Sequence, residues 1–327
     1  MPKALITTVP FADKSRDPIN MLESAGIDYL INPLNKKLTE DQLVEMVADF
    51  DVIIAGTEPI TKKVFKNATN LKMISRVGIG LDSVDLLAAE DHGIKVSYTP
   101  DAPAPAVAEL TLGMILTLLR SVHVSNAQMH NGEWERIFGR RLSKSTLGIV
   151  GLGRIGSGLL HLLKGFDLPK ILVNDIKPEH SFELGGQVDF VSKEQIFKEA
   201  DVISLHVPLT RSTKNMICRE QLFSMKEDAI VINTSRGGII NEKDLYDVMM
   251  EGRLAGAAID VFDNEPYSGN LSEIERCLLT SHMGSMSIDC RTRMEIEATE
   301  EALRFLIESR QESAVPLEEY DVQREGL

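Results

Sequence analysis

Three glycines, in Gly151-Leu152-Gly153-Arg154-Ile155-Gly156, constrain this chain more than any other feature. They follow the apolar run Leu147-Gly148-Ile149-Val150 and open the helical pattern Ser157-Gly158-Leu159-Leu160-His161-Leu162-Leu163. The next apolar run, Ile171-Leu172-Val173-Asn174, closes on Asp175, 19 residues beyond Gly156. A strand, a G-x-G-x-x-G turn, a helix and an acidic residue after the second strand together form the dinucleotide-binding context. Gly151 permits the tight turn, Gly153 lets the backbone approach a pyrophosphate, and Gly156 lets helix and strand pack closely. The amides of the helix N-terminus, Arg154 and Ile155 among them, face the phosphates. Asp175 accepts hydrogen bonds from the adenosine ribose and repels a 2′-phosphate, so the spacing predicts NAD rather than NADP. The bland alternative is a glycine-rich turn that holds no ligand.

Short apolar runs alternate with helical patterns along the chain. In the first hundred residues they fall at 4–9, 29–31, 51–55, 72–76 and 95–98, with helices at 17–25 and 39–48. The second of these helices opens on Thr39-Glu40-Asp41-Gln42, which has capping-box spacing. A second series of runs lies at 147–150, 170–174, 188–191, 201–207, 229–234, 257–262 and 278–281. This alternation predicts an α/β chain with two doubly wound parallel-sheet domains. The pattern at 103–129 predicts one long apolar helix at a domain or subunit interface. The helix at about 291–307 has no strand of its own to serve. Residues 1–99 and 287–327 are therefore expected to form one domain, with 100–286 inserted as the other. The acidic stretch 311–327 is expected to lie mobile or draped on the surface.

Composition narrows the function. Of 327 residues, 43% are hydrophobic and only 5% aromatic, enough for a sizeable aliphatic core. The net charge of −14 argues against a nucleic-acid partner and suits a cytoplasmic protein. The N-terminus has no signal-peptide pattern, and no apolar segment has membrane-spanning length. The three cysteines, Cys218, Cys277 and Cys290, show no metal-site spacing, so no metal is expected.

Ligands of open α/β sheets sit beyond the carboxyl ends of the strands. Arg236 follows the run 229–234, Glu265 follows 257–262 and His282 follows 278–281. A guanidinium clamps a carboxylate with two parallel donors. An imidazole exchanges a proton near neutrality, and an adjacent carboxylate orients it. The three suit hydride exchange with a 2-oxo acid. Taken singly, each has an ordinary structural reading: a salt bridge, a turn cap and a packed histidine.

The segments 74–86 (ISRVGIGLDSVDL), 98–116, 145–156, 206–210 (HVPLT), 233–242 (NTSRGGIINE), 257–266 (AAIDVFDNEP) and 280–285 (TSHMGS) carry a resemblance. In this order the chain resembles the D-isomer-specific 2-hydroxyacid dehydrogenases over nearly its whole length. The resemblance implies a split, flavodoxin-like substrate domain around an inserted Rossmann NAD domain, and a homodimer. It implies Arg236, Glu265 and His282 as catalytic residues. It places Val207 and Pro208 near the adenine, and Thr213 near the phosphates. Thr234 and Asp260 fall near the nicotinamide, and Gly284 also contacts the cofactor. Backbone amides of Val77-Gly78-Ile79 hold the substrate carboxylate. Arg76 and the run Asn131-Gly132-Glu133-Trp134-Glu135-Arg136 look most like the short 3-phosphoglycerate dehydrogenase branch, with Arg76 and Arg136, Arg140 or Arg141 toward a distal phosphate. Trp134 is expected to pack a loop. The prolines of 101–109 and Ser281 depart from that branch. Glyoxylate or hydroxypyruvate reduction is the alternative substrate reading. An NAD(H)-sensing co-repressor is the alternative from another class, although the chain lacks long flanking segments for recruiting partners.

Overall fold

The computed structural model describes residues 2–177 and 188–324, which form two compact units. The first unit runs to Pro103 and resumes at Met286; the second is Ala104–Ser285.

The first unit carries strands β1 (Lys3–Ile6), β2 (Asp28–Ile31), β3 (Val52–Ala55), β4 (Met73–Arg76) and β5 (Lys95–Tyr98). Their spatial order is β2-β1-β3-β4-β5, and every pairing is parallel. All four β3 residues are buried, as expected of a strand covered on both faces. Leu5, Ile53 and Ile74 join one core with Leu43, Val64 and Leu86 of helices α2 (Glu40–Met46), α3 (Lys62–Asn67) and α4 (Leu86–Asp91). The opposite face receives α1 (Asp17–Ser24) and the long α11 (Ile288–Glu308), where Ser75 Oγ donates to the Ala298 carbonyl at 2.7 Å. The capping box of α2 is formed: Gln42 N donates to Thr39 Oγ1, and Thr39 N to Gln42 Oε1. Such a cap contributes about 1 kcal/mol.

Of the two forms expected for the C-terminal stretch, mobile or draped on the surface, the described residues take the second. Glu301, 2% exposed on α11, accepts the amides of Glu312 and Ser313 at 2.7 and 2.9 Å. Val315 N donates to the Val96 carbonyl, and α12 (Leu317–Arg324) follows. A buried carboxylate that needs donors holds the acidic segment against the sheet edge.

The second unit contains β6 (Thr146–Val150), β7 (Lys170–Asn174), β8 (Val188–Phe190), β9 (Val202–Leu205), β10 (Ile230–Asn233), β11 (Gly256–Ile259) and β12 (Cys277–Leu279). Their order is β12-β11-β10-β9-β6-β7-β8, again all parallel. One sheet face packs on α8 (Lys193–Glu199), α9 (Arg219–Ser224) and α10 (Glu242–Met250). The other packs on α5 (Ala104–Leu119) and α7 (Arg154–Leu162).

The single long helix expected at 103–129 is instead two, α5 and α6 (Val122–His130), bent by 67°. Ser121 breaks it with a φ of +48°. The Leu119 carbonyl, which a continuing helix would use, accepts from Arg140 N at 2.8 Å. Nor is α5 a bare interface helix: Met114, Ile115 and Leu118 pack with Leu147, Ile149 and Ile230 in the core of this unit. Among the described residues, no single helix is long and apolar enough to cross a membrane.

Candidate active site

From β6 the chain runs to β7 and β8 on one side of the sheet, then returns to β9 on the other. The junction of β6 and β9 is thus the topological switch point, where such sheets bind ligands. The glycine turn lies there. Gly151 has φ +97°, and a Cβ on it would collide with the His206 carbonyl at the end of β9. Gly156 lies so close beneath the Gly151 carbonyl that no side chain fits. A Cβ on Gly153 would meet nothing within 4 Å, and Gly153 caps α7 without a side-chain hydrogen bond. Open space beside an uncapped helix N-terminus suits a pyrophosphate. Asp175 Oδ2 accepts from Leu152 N at 2.5 Å and Oδ1 from Lys177 N at 2.8 Å, holding the carboxylate at the mouth of the turn. These residues fit a dinucleotide.

Across the switch point, His206 N donates to the Val150 carbonyl at 2.7 Å. Beyond it, Thr213 Oγ1 donates to the Pro208 carbonyl and accepts from Thr210 N, which ties the loop after Val207 into a compact turn. The His206 ring shares a 2.8 Å hydrogen bond with Ser204 Oγ through Nε2. Burial pushes its pKa down to about 4, so the ring is neutral at ordinary pH.

The three residues singled out at strand ends follow the adjacent strands β10, β11 and β12. His282 Nδ1 lies 2.8 and 3.0 Å from the two oxygens of Glu265. The pair remains accessible, with the histidine side chain 43% and the glutamate 29% exposed. With Nδ1–H donated to the carboxylate, Nε2 is the nitrogen left for a ligand. Asp260, 1% exposed, sets the loop that carries the histidine. Its Oδ1 accepts from Thr280 Oγ1 (2.6 Å) and Met283 N (2.8 Å), and its Oδ2 from Gly284 N (2.9 Å). His282 N donates to the Asp260 carbonyl at 2.8 Å, in a left-handed conformation with φ +50°. Asp260 and Gly284, expected at the cofactor, thus also build the histidine turn.

Arg236 is half-buried, and its Nη1 donates to the Ser235 carbonyl at 2.7 Å. Asn233 shapes this turn: its Oδ1 accepts from Ser235 N and Oγ, and its Nδ2 donates to the Arg236 carbonyl. Gly237 lies directly against the Phe262–Asp263 backbone, where a Cβ would come within 2.6 Å of Asp263 N. The arginine turn therefore abuts the segment that leads to Glu265. Thr234 is joined to Thr111 of α5, Oγ1 to Oγ1, at 2.8 Å.

Sequence reasoning missed three supporting residues. Asn233 and Thr111 are among them; the only sequence signal for Thr111 is a hydroxyl in a largely apolar helix, a signal that Thr117 shares. Glu242 is the third. Its Oε1 accepts from Asp263 N at 2.8 Å and so steadies the Glu265 segment. Burial raises the Glu242 pKa above the usual carboxylate range, and the Asp263 and Glu265 charges add to the effect.

In the first unit, Arg76 is 7% exposed and folds over its own loop, with Nη1 donating to the Val77 carbonyl. Val77 N donates to the Ala55 carbonyl and Gly78 N to Thr99 Oγ1 at 2.7 Å. Two of the three amides expected at a substrate carboxylate are therefore already hydrogen-bonded. In the second unit, Arg140 pairs with Asp228 at 2.9 Å, which neutralises one member of the basic cluster. Arg136 and Arg141 are exposed. Trp134 packs no loop; it is 77% exposed. Among the described residues, no group of three or more His, Cys, Asp or Glu side chains is placed to hold a metal ion.

Comparison with known proteins agrees with this geometry. Residues 112–284 match the model of the D-isomer specific 2-hydroxyacid dehydrogenase NAD binding domain. The chain is 35% identical to the hydroxypyruvate reductase of Thermotoga maritima over 83% of its own length and 90% of that protein's. It is 39% identical to the D-3-phosphoglycerate dehydrogenase of Methanocaldococcus jannaschii over 82% of its length, but spans only 51% of that relative. The crystal structure of the TT0316 protein from Thermus thermophilus superposes with a TM-score of 0.86 at 32% identity, covering 96% of this chain and all of that one. With a glycine turn shaped for a dinucleotide and a carboxylate-held histidine at neighbouring strand ends, the chain belongs to the D-isomer-specific 2-hydroxyacid dehydrogenases, the NAD-dependent oxidoreductases of 2-hydroxy acids.

Proposed function

We propose that the chain reduces a small, unphosphorylated 2-oxo acid of the glyoxylate or hydroxypyruvate type to its D-2-hydroxy acid. The observation that carries the chemistry is the bond between His282 Nδ1 and Glu265, which reserves Nε2 for the substrate oxygen. When bound, the nicotinamide supplies the hydride to C2. Arg236 holds the substrate carboxylate. His282 gives its Nε2 proton to the oxygen that becomes a hydroxyl and takes it back in oxidation. Glu265 keeps the ring in orientation through both directions. Burial pushes Cys277 up to about 12 and Cys290 to about 11, so neither supplies a thiolate nucleophile.

Two observations favour the unphosphorylated substrate. Arg140 is committed to Asp228. The hydroxypyruvate reductase relative is matched over nearly its whole length, the phosphoglycerate dehydrogenase over half. The test is NADH oxidation with glyoxylate, hydroxypyruvate, pyruvate and phosphohydroxypyruvate as acceptors. Turnover confined to the phosphorylated acid would overturn the substrate reading and revive the role of Arg76. Tight NADH binding without turnover of any acid would favour the NAD(H)-sensing role.

Asp175 underlies the preference for NAD. Asp175→Ala is expected to narrow the NADH-to-NADPH ratio of kcat/KM by about tenfold or more, the size of a lost charge-assisted hydrogen bond. An unchanged ratio would remove that role.

We also infer a homodimer. Helix α6 buries none of its residues within its own chain, and Val122, Met129, Trp134 and Phe138 are exposed along it and the arm that follows. Apolar side chains arranged this way mark an association surface. A monomer mass in sedimentation would refute it. A cytoplasmic location is in keeping with three cysteines that form no disulfide.

A further inference from the structure

Within the second unit, the residues proposed to act stand on separate pieces of chain. Arg236 opens a run that ends at Glu242, the first residue of α10. Glu265 stands on the segment that follows β11. The run is fixed by a neighbouring stretch: Asn215 N donates to the Gly238 carbonyl at 2.6 Å, Ile217 N to the Ile239 carbonyl at 3.1 Å, and Asn241 N to the Ile217 carbonyl at 2.8 Å. Asn241 also caps α10, its Oδ1 accepting from Asp244 N at 3.0 Å, which sets the turn on which Glu242 sits.

This run holds the glutamate segment at two points on one peptide, Phe262–Asp263. A Cβ on Gly237 would collide with the Phe262 carbonyl, so backbone packs on backbone there. Glu242 Oε1 accepts the hydrogen bond from Asp263 N at 2.8 Å. From that peptide the segment folds back on itself. Phe262 N donates to Glu265 Oε1 at 3.1 Å, the oxygen that lies 3.0 Å from His282 Nδ1.

Glu242 is half-buried, and Asp263, Glu265 and Tyr267 face it. Burial first, then the Asp263 and Glu265 charges, favour its neutral form. A carboxyl placed beside another carboxylate costs stability, and such placements concentrate at functional sites. The neutral carboxyl still offers its carbonyl oxygen to Asp263 N.

We propose that Glu242 is a positioning residue for the reaction: by holding the Asp263 amide against the run that begins at Arg236, it fixes where the Glu265 carboxylate meets His282 Nδ1. This rests on the dehydrogenase reading given above and adds to it a residue that acts through Glu265. Loosening the segment lets the glutamate, and with it the imidazole, leave the geometry that proton exchange requires.

The experiment measures kcat, KM and NADH affinity with hydroxypyruvate and glyoxylate. It uses wild-type protein, Glu242→Ala, Glu242→Gln, Glu265→Gln and the double variant of Glu242→Ala with Glu265→Gln. Glu242→Ala is expected to lower kcat about tenfold, the size of one lost hydrogen bond, with KM and NADH affinity within about threefold of wild type. Glu242→Gln, which keeps the acceptor, is expected to recover most of that loss. In the Glu265→Gln background, Glu242→Ala is expected to cost less than about threefold, because its effect passes through Glu265. The same tenfold loss in both backgrounds would overturn the role of Glu242 and leave the dehydrogenase reading intact. So would wild-type kcat in Glu242→Ala, or a fall in NADH affinity as large as the fall in kcat. Failure of the wild-type protein to oxidise NADH with any 2-oxo acid would overturn the dehydrogenase reading, and this one with it. Should Glu242→Ala not fold, Glu242→Asp decides. Its carboxylate is one methylene short of Asp263 N, so kcat is expected to fall, and wild-type kcat would overturn the proposal.

Discussion

Arg236→Ala is expected to lower kcat/KM for 2-oxo acid reduction by about 10²–10³-fold, the range for truncating one partner of a buried, hydrogen-bonded charge pair. The guanidinium is half-buried and its turn is braced by Asn233, so its donors are in place before substrate arrives. That preorganisation is lost with the side chain, and the carboxylate then enters a site with no matching fork. Arg236→Lys keeps the charge without the planar pair of donors and should recover only part of the loss. NADH affinity, followed by its fluorescence, should stay near the wild-type value, because Arg236 belongs to the β10 end and the glycine turn to β6. A kcat/KM within about threefold of wild type would refute the carboxylate role.

His282→Ala is expected to cost about 10²–10⁴-fold in kcat, the usual contribution of a positioned general acid. Its signature is the pH profile. Reduction draws on the protonated ring and oxidation on the neutral one, so in wild-type protein reduction weakens as pH rises and oxidation strengthens. The variant should flatten both dependences while still binding NADH. Glu265→Gln should cost less than His282→Ala, since the ring and its backbone anchor on Asp260 remain. A variant that kept the wild-type pH dependence would show that another group exchanges the proton.

The parts of the site that were legible in the sequence are those made by neighbours in the chain. Gly151, Gly153 and Gly156 act within one turn, and their spacing suffices to identify it. The strand runs were legible because a parallel sheet covered on both faces needs continuous apolar segments, as in Val52–Ala55. The capping box joins Thr39 and Gln42, three positions apart, and formed as expected.

What was not legible depends on partners far away in the chain. The break at Ser121 could not be read from the apolar pattern, because it accompanies the capture of the Leu119 carbonyl by Arg140. The order of the acidic C-terminal stretch comes from Glu301, a residue that looks like any other charge on a helix.

By itself, the sequence determined the two α/β series, the dinucleotide turn and the kinds of side chain at the strand ends, because short-range periodicity and spacing encode them. Only the tertiary structure decided that Glu265 meets His282 and that Asp260 holds the histidine loop by three donors. Those outcomes follow from strand order and burial, and both are set by how distant segments pack.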